Sequence, residues 1–131
     1  KNIKFDKNLN KFGMGEDQLF FSVISKIGYK IYWSQKVVVT EKMHPHRSNI
    51  NWIKERSKRL GILGHYLDIK IHGKVIGYLI NYIKFLYLFF FSILIYVNIF
   101  NINRNLDFTN NMFRCYGKLI GPFKFKKIQF L

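Results

Sequence analysis

The sequence predicts an α/β segment, built as a helix, two short strands and a second helix, followed by a long hydrophobic helix and a basic amphipathic tail. Three observations carry that prediction. Two adjacent carboxylates, Glu16 and Asp17, precede an apolar stripe with helical spacing. The β-branched run at 36–41, Lys-Val-Val-Val-Thr-Glu, reads as a strand. Residues 75–100 are Val, Ile, Leu, Phe and Tyr, interrupted only by Gly77, Asn81, Lys84, Ser92 and Asn98.

The elements follow in order. Residues 1–12 are polar and basic and read as a loop. Gly13 and Gly15 flank Met14, and glycine lets the backbone turn or approach another group closely. Carboxylates in a first helical turn are favoured by the free N–H groups there, so Glu16 and Asp17 mark a helix start. The alternative reading is a catalytic carboxylate on a rigid turn. Leu19, Phe20, Val23, Ile24 and Ile27 form the helix stripe, and Gly28 stops it. The alternating Tyr-Lys-Ile-Tyr-Trp at 29–33 is the first short strand. Ser34 and Gln35 turn the chain into the second. Proline makes His44-Pro45-His46-Arg47 a loop, in which a His-x-His pair alone is weak support for a metal.

Ser48 or Asn49 can cap a helix that runs from Trp52 to Gly61. Trp52, Arg56 and Arg59 share one face of it. That face is either a solvated basic surface or a guanidinium pair suited to phosphate oxygens. Residues 64–74, with His65 and His72, are transitional. As a helix, residues 75–100 would be about 39 Å long, enough for one membrane crossing and too short for two. No polar stripe runs through 85–97, and a chain this small has little core to surround such a helix. The sequence therefore favours a membrane segment. Basic residues flank it on both sides, so a single pass, a re-entrant segment and an in-plane helix all stay open. Residues 101–111 form a polar, Asn-rich linker. Residues 112–131 mix Phe, Leu and Ile with lysines around Gly117, Gly121 and Pro122, as an interfacial anchor does.

Composition narrows the partners. Across 131 residues, 22 Lys and Arg face seven Asp and Glu, a net charge of +15. Such a balance calls for an anionic partner or surface. Lys, Asn, Ile, Phe and Tyr are abundant together, so an AT-rich gene would account for part of the excess. The long apolar run and the lack of any nucleic-acid motif argue against nucleic acid as the partner. Cys115 is the only cysteine, which excludes an internal disulfide framework and a multi-cysteine zinc site.

The order Gly15-Glu16-Asp17, helix, Gly28, Ile31-Tyr32-Trp33, the run ending at Glu41, Arg47, then Trp52, Arg56, Arg59 and Gly61 resembles glycosyltransferase family 2. The similar part is the C-terminal half of its catalytic domain, which has the GT-A fold. Within that family the chain looks most like bacterial polysaccharide-synthesis enzymes with a hydrophobic C-terminal region. The resemblance covers about residues 11–64 and, less specifically, the hydrophobic tail.

The resemblance implies an inverting transfer of sugar from a nucleotide-sugar donor to a glycan or lipid-linked acceptor. Asp17 would be the general base and Glu16 would help bind the acceptor. Gly15 would make the close approach, which makes Met14 tolerable where relatives have glycine. Arg56 and Arg59 would face the donor diphosphate, with Trp52 beside them or stacked on a sugar. Glu41 falls where many relatives carry a metal-binding His, with His44 three residues on. A divalent cation, Mg or Mn, is expected for the full enzyme, its main ligands lying outside this chain. The implied division is 1–64 as the acceptor-side part of the catalytic domain, 65–111 as membrane segment and linker, and 112–131 as tail. The nucleotide-binding half, with its Asp-x-Asp element, would precede Lys1, so the chain reads as a piece of a longer protein and inactive alone. Its catalytic part would lie on the cytoplasmic side of a bacterial inner membrane. The alternative is a small basic integral membrane protein without catalytic activity.

Overall fold

The computed structural model describes residues 4–7, 9, 14–42, 44–97 and 104–129. Among them the chain is helical, with α1 (Glu16–Lys26), α2 (Ile50–His72), α3 (Lys74–Val97) and α4 (Arg104–Gln129), and a 3-10 turn at Pro45–Ser48. The expected α/β segment is therefore corrected, because residues 29–33 and 36–41 form no strand. A strand needs a neighbour for its backbone groups and a face to bury, and an isolated hairpin is marginal in water. Residues 29–42 have neither: all are exposed, with Trp33 at 88% and Val39 at 86%. Their β-branched content had no sheet to express itself in.

The chain divides into two units, Lys1–Ser48 and Asn49–Leu131. In the first, α1 starts and stops as its glycines predict. Gly15 is the N-cap residue, with a left-handed φ of 91°. At the other end Gly28 has φ 96°, and Gly28 N–H donates to the Ser25 carbonyl at 3.0 Å. The Tyr29 N–H reaches back to the Ile24 carbonyl at 3.2 Å, completing a Schellman cap. Phe20 stacks on Phe5 at 4.6 Å. No residue of α1 is fully buried. Gly13, and most of the loop expected over residues 1–12, lie outside the described residues.

The second unit is a three-helix bundle. The Asn49 side chain caps α2 by accepting from Asn51 N–H at 2.8 Å. The helix was expected to stop at Gly61, but it runs through to His72 and ends at Gly73, φ 82°. Gly61 serves a different purpose: it lets two backbones touch. A Cβ there would collide with the Arg114 carbonyl oxygen and lie 2.8 Å from Gly117 Cα. Reciprocally, a Cβ on Gly117 would fall 2.9 Å from Gly61 Cα. The segment 64–74 is likewise not transitional. It contains Leu63's buried neighbours His65, Tyr66, Leu67 and Asp68.

After Gly73 the chain reverses at once into α3, and Gly77 sits against Ile69. The helix α4 then returns along α3, with Phe108 near Tyr96 (5.0 Å between rings) and Cys115 near the Phe85 carbonyl. It also runs parallel to α2, with Asn110 at Ser57 and Gly121 at His65. Residues 104–111, expected as linker, are thus the first turns of α4. Residues 98–103 lie outside the described residues.

Among the described residues one helix, α3, is long and apolar enough to cross a membrane. Only 11% of its apolar window is buried, so it is not a core helix. Its buried residues are the small and polar ones, Gly77, Asn81 and Ser92. Its apolar residues, such as Val75, Leu79, Ile83, Phe90 and Leu94, point outward. A water-soluble bundle has the opposite arrangement, whereas small and polar helix contacts are the pattern of helices packed in lipid.

Replacing Gly61 or Gly117 with Ala should cost about 3 kcal/mol or more, because backbone rather than flexible side chain must yield. At Gly64 the nearest obstacle is the tip of Lys118 at 3.2 Å, so Gly64→Ala should be mild by comparison. Thermal unfolding of the helical signal in detergent measures both.

Candidate functional site

The carboxylates singled out in the sequence line an open pocket of about 360 Å³ at the start of α1, formed by Phe5, Met14, Gly15, Glu16 and Asp17. The left-handed turn at Gly15 places Glu16 and Asp17 at the first two positions of the helix, where backbone N–H groups are free. Gly15 is buried, Glu16 half-buried and Asp17 exposed. Asp17 is thus accessible to a hydroxyl from solvent, which a general base requires.

Trp52, Arg56 and Arg59 belong to the second unit, on α2. The shared face is real, since the Arg56 guanidinium lies over the Trp52 ring, 5.4 Å from its centroid. Helical spacing turns these residues away from Ser57, Gly61 and His65, which face α4. Both arginines are exposed.

Glu41 carries the metal expectation. Its carboxylate is held by Arg47. No group of three metal-ligating side chains converges among the described residues.

Sequence reasoning missed a buried polar seam in the second unit. It joins His65 and Asp68 of α2, Asn81 and Lys84 of α3, and Lys118 of α4. Asp68 is 4% exposed, and its Oδ1 accepts from Lys84 Nζ at 2.6 Å. Lys118 is also buried and donates from Nζ to Asn81 Oδ1 at 3.2 Å. The Asn81 amide in turn donates to the Lys118 carbonyl, at a long 3.4 Å. That carbonyl is special. It lies four residues before Pro122, which has no N–H to complete the helical bond. Asn81 thus satisfies the acceptor that Pro122 frees, and the ammonium of the same lysine. His65 is fully buried, edge-on to Tyr78 at 4.9 Å and against Gly121.

Burial, reinforced by the charge of Lys118, lowers the pKa of His65, and Asp68 opposes this. Burial lowers the pKa of Lys118 too, with Asp68 opposing and Lys84 and Arg114 adding to the shift. Burial raises the Cys115 thiol.

Two signals in the sequence point to this seam. Asn81 and Lys84 interrupt an otherwise apolar run on one side of the helix. Gly117 and Gly121 are four apart, the spacing that lets helices approach.

Comparison with protein-family models, curated proteins and solved structures finds no match. The resemblance to glycosyltransferase family 2 therefore rests on residue order alone, and the strand pair within that order is not formed.

Replacing Asn81 with Leu strands the Lys118 carbonyl and ammonium together and should cost about 2–3 kcal/mol. Pro122→Ala restores an N–H to that carbonyl, so the double variant should lose less than the sum of the two single losses. A double-mutant cycle by denaturant unfolding reads the difference.

The pKa shifts also fix the sign of a pH effect. Folded His65 holds fewer protons than unfolded His65, so stability rises with pH. The penalty appears as pH falls below the ordinary histidine value, about 6.5. The unfolding midpoint of the bundle should drop between pH 7.5 and pH 5, and His65→Gln should flatten that drop.

Proposed function

We propose that the chain is the acceptor-side and membrane-binding part of an inverting glycosyltransferase, which moves a sugar from a nucleotide-sugar to a glycan or lipid-linked acceptor in cell-surface polysaccharide synthesis. The observation that carries the reading is the open pocket at Gly15, Glu16 and Asp17. It gathers on one helix end the carboxylates such a transfer needs.

The chemistry assigns each residue a task. The Asp17 carboxylate takes the proton from the acceptor hydroxyl as its oxygen attacks the anomeric carbon. The C–O bond to the diphosphate breaks on the opposite face, which inverts the configuration. Glu16 hydrogen-bonds the acceptor and holds it over Asp17. The resemblance would give Arg56 and Arg59 the negative charge gathering on a departing nucleoside diphosphate, since guanidinium forks match phosphate oxygens. Trp52 holds Arg56 in place and offers a face to a sugar ring. A lipid-linked acceptor fits a chain whose α3 is apolar on its outer side. The catalytic part would then lie on the cytoplasmic side of a bacterial inner membrane, where nucleotide-sugars are found.

A second reading, a basic membrane protein without catalysis, is favoured by α3 alone and leaves the Gly15–Asp17 pocket without a use. Sugar transfer separates the two. In membranes carrying the intact enzyme, Asp17→Asn should lower transfer from a panel of radiolabelled nucleotide-sugars by about 10²–10⁴-fold, the usual worth of a positioned base. Binding of the donor should be nearly unchanged. Equal turnover by wild type and Asp17→Asn would remove Asp17 from the chemistry.

A further inference from the structure

The membrane reading leaves open how α3 meets the bilayer, and the packing of its neighbours bears directly on that. Helical spacing puts Gly77, Asn81, Phe85, Leu88 and Ser92 on the side of α3 that packs inward. The remaining arc, more than half the circumference, carries exposed Val, Ile, Leu, Phe and Tyr along the whole helix and no charge. One lysine borders the arc and another stands at the start of the helix. Lys84 lies at its edge with a side chain 52% exposed, and Lys74 opens the helix, also exposed.

Consider α3 standing across the membrane. Its second half, from Phe85 to Tyr96, lies level with Cys115 to Phe108 of α4. That part of α4 lies beside the first half of α2: Ser57 meets Asn110, Lys54 covers Phe113 and Lys58 covers Tyr116. An upright α3 would therefore carry Lys54, Glu55, Arg56, Lys58 and Arg59 into the hydrocarbon at the same depth. Exposed Glu55, Arg56 and Arg59 would face lipid there. Charges at that depth are expensive. With α3 lying in the membrane plane the conflict disappears. Its arc sinks among the acyl chains, while α2 and α4 stay at or above the headgroups. A helix seated in this way is immersed to about 5–10 Å, close to one helix diameter.

We infer that the Asn49–Leu131 bundle binds in plane to the surface of an anionic phospholipid bilayer, its apolar α3 arc immersed and Lys74 and Lys84 at the phosphate level. This rests on the membrane reading above and specifies the geometry of that association. The net charge of +15 favours anionic headgroups over neutral ones. The Tyr78, Tyr82 and Tyr87 side chains, exposed along the arc, suit the interfacial zone.

The test uses the full chain with Cys115→Ser, and nitroxide labels placed one at a time through Ile76→Cys, Ile83→Cys, Phe90→Cys and Leu94→Cys. The chain is bound to vesicles of phosphatidylcholine and phosphatidylglycerol. Collision rates with oxygen and with a water-soluble nickel complex report label depth. In-plane seating gives all four labels the same shallow depth. A profile deepest at Ile83 and Phe90 and shallower at both ends would mean a crossing and would overturn the inference, while leaving the membrane reading standing. Sedimentation with vesicles at 0.1 M salt should show at least about tenfold tighter binding with phosphatidylglycerol than with phosphatidylcholine alone, as two or more basic groups near the surface would give. Equal binding to the two overturns the anionic preference. Binding to neither overturns the membrane reading itself.

Discussion

Lys118 is a buried cation held by an asparagine, and the second unit depends on that pairing. Burying an ammonium is costly unless its donors are satisfied. Asn81 accepts from the ammonium and, with its other end, donates to the lysine's own carbonyl. Pro122 makes that carbonyl available. One asparagine thus pins α3 to α4, tolerates a proline within α4 and solvates a buried charge. The Gly61–Gly117 contact brings α2 against the same stretch of α4. Asp68 supplies the negative charge nearby and ties in Lys84. Remove the asparagine and both the ammonium and the carbonyl of Lys118 lose their partner inside.

This arrangement explains why α3 faces outward. Gly77, Asn81 and Ser92 occupy the side that packs, so its large apolar residues have only the outside left. The bundle is held together by close backbone contact and polar pairs rather than by a large apolar core. Its buried apolar residues are few and lie mainly on α2, at Ile62, Leu63, Tyr66 and Leu67. Such a unit keeps its strongest hydrophobic surface free for another medium.

Local signals in the sequence proved readable where local chemistry decides the structure. Gly15 and Gly28 delimit α1 because a left-handed residue at each end satisfies the helix's own backbone. The length of α3 follows from a predominantly apolar run. Non-local causes were hidden. Val37, Val38 and Val39 look like a strand, but strand formation depends on a partner outside the run. Gly61 looks like a helix stop, but its meaning depends on Gly117, 56 positions away. His65 looked ordinary because its neighbours Tyr78, Lys118 and Gly121 come from other helices. For the site, Gly15, Glu16 and Asp17 were legible together because they are consecutive. The joint presence of Asp68, Asn81 and Lys118 requires three helices to meet.

The chain's positive charge is then not one property but several. Lys118 is committed inside to Asn81, and Lys84, at the surface, holds Asp68. Lys54, Lys58 and Lys70 lie over the rings of Phe113, Tyr116 and Tyr66, which spread their stems over apolar surface and leave their heads less free. Arg47 is tied to Glu41. Arg56 and Arg59 differ from these: both are exposed, on the side of α2 turned away from α4, and Arg56 lies over the Trp52 ring. A guanidinium in that setting keeps its donors for an incoming anion. Lipid phosphates and a nucleoside diphosphate offer the same oxygens, so position must choose between them. If α3 is immersed as proposed, with α2 above it, Lys84 at the edge of the apolar arc would meet the lipid. The two arginines would then be left to an anion arriving from the water.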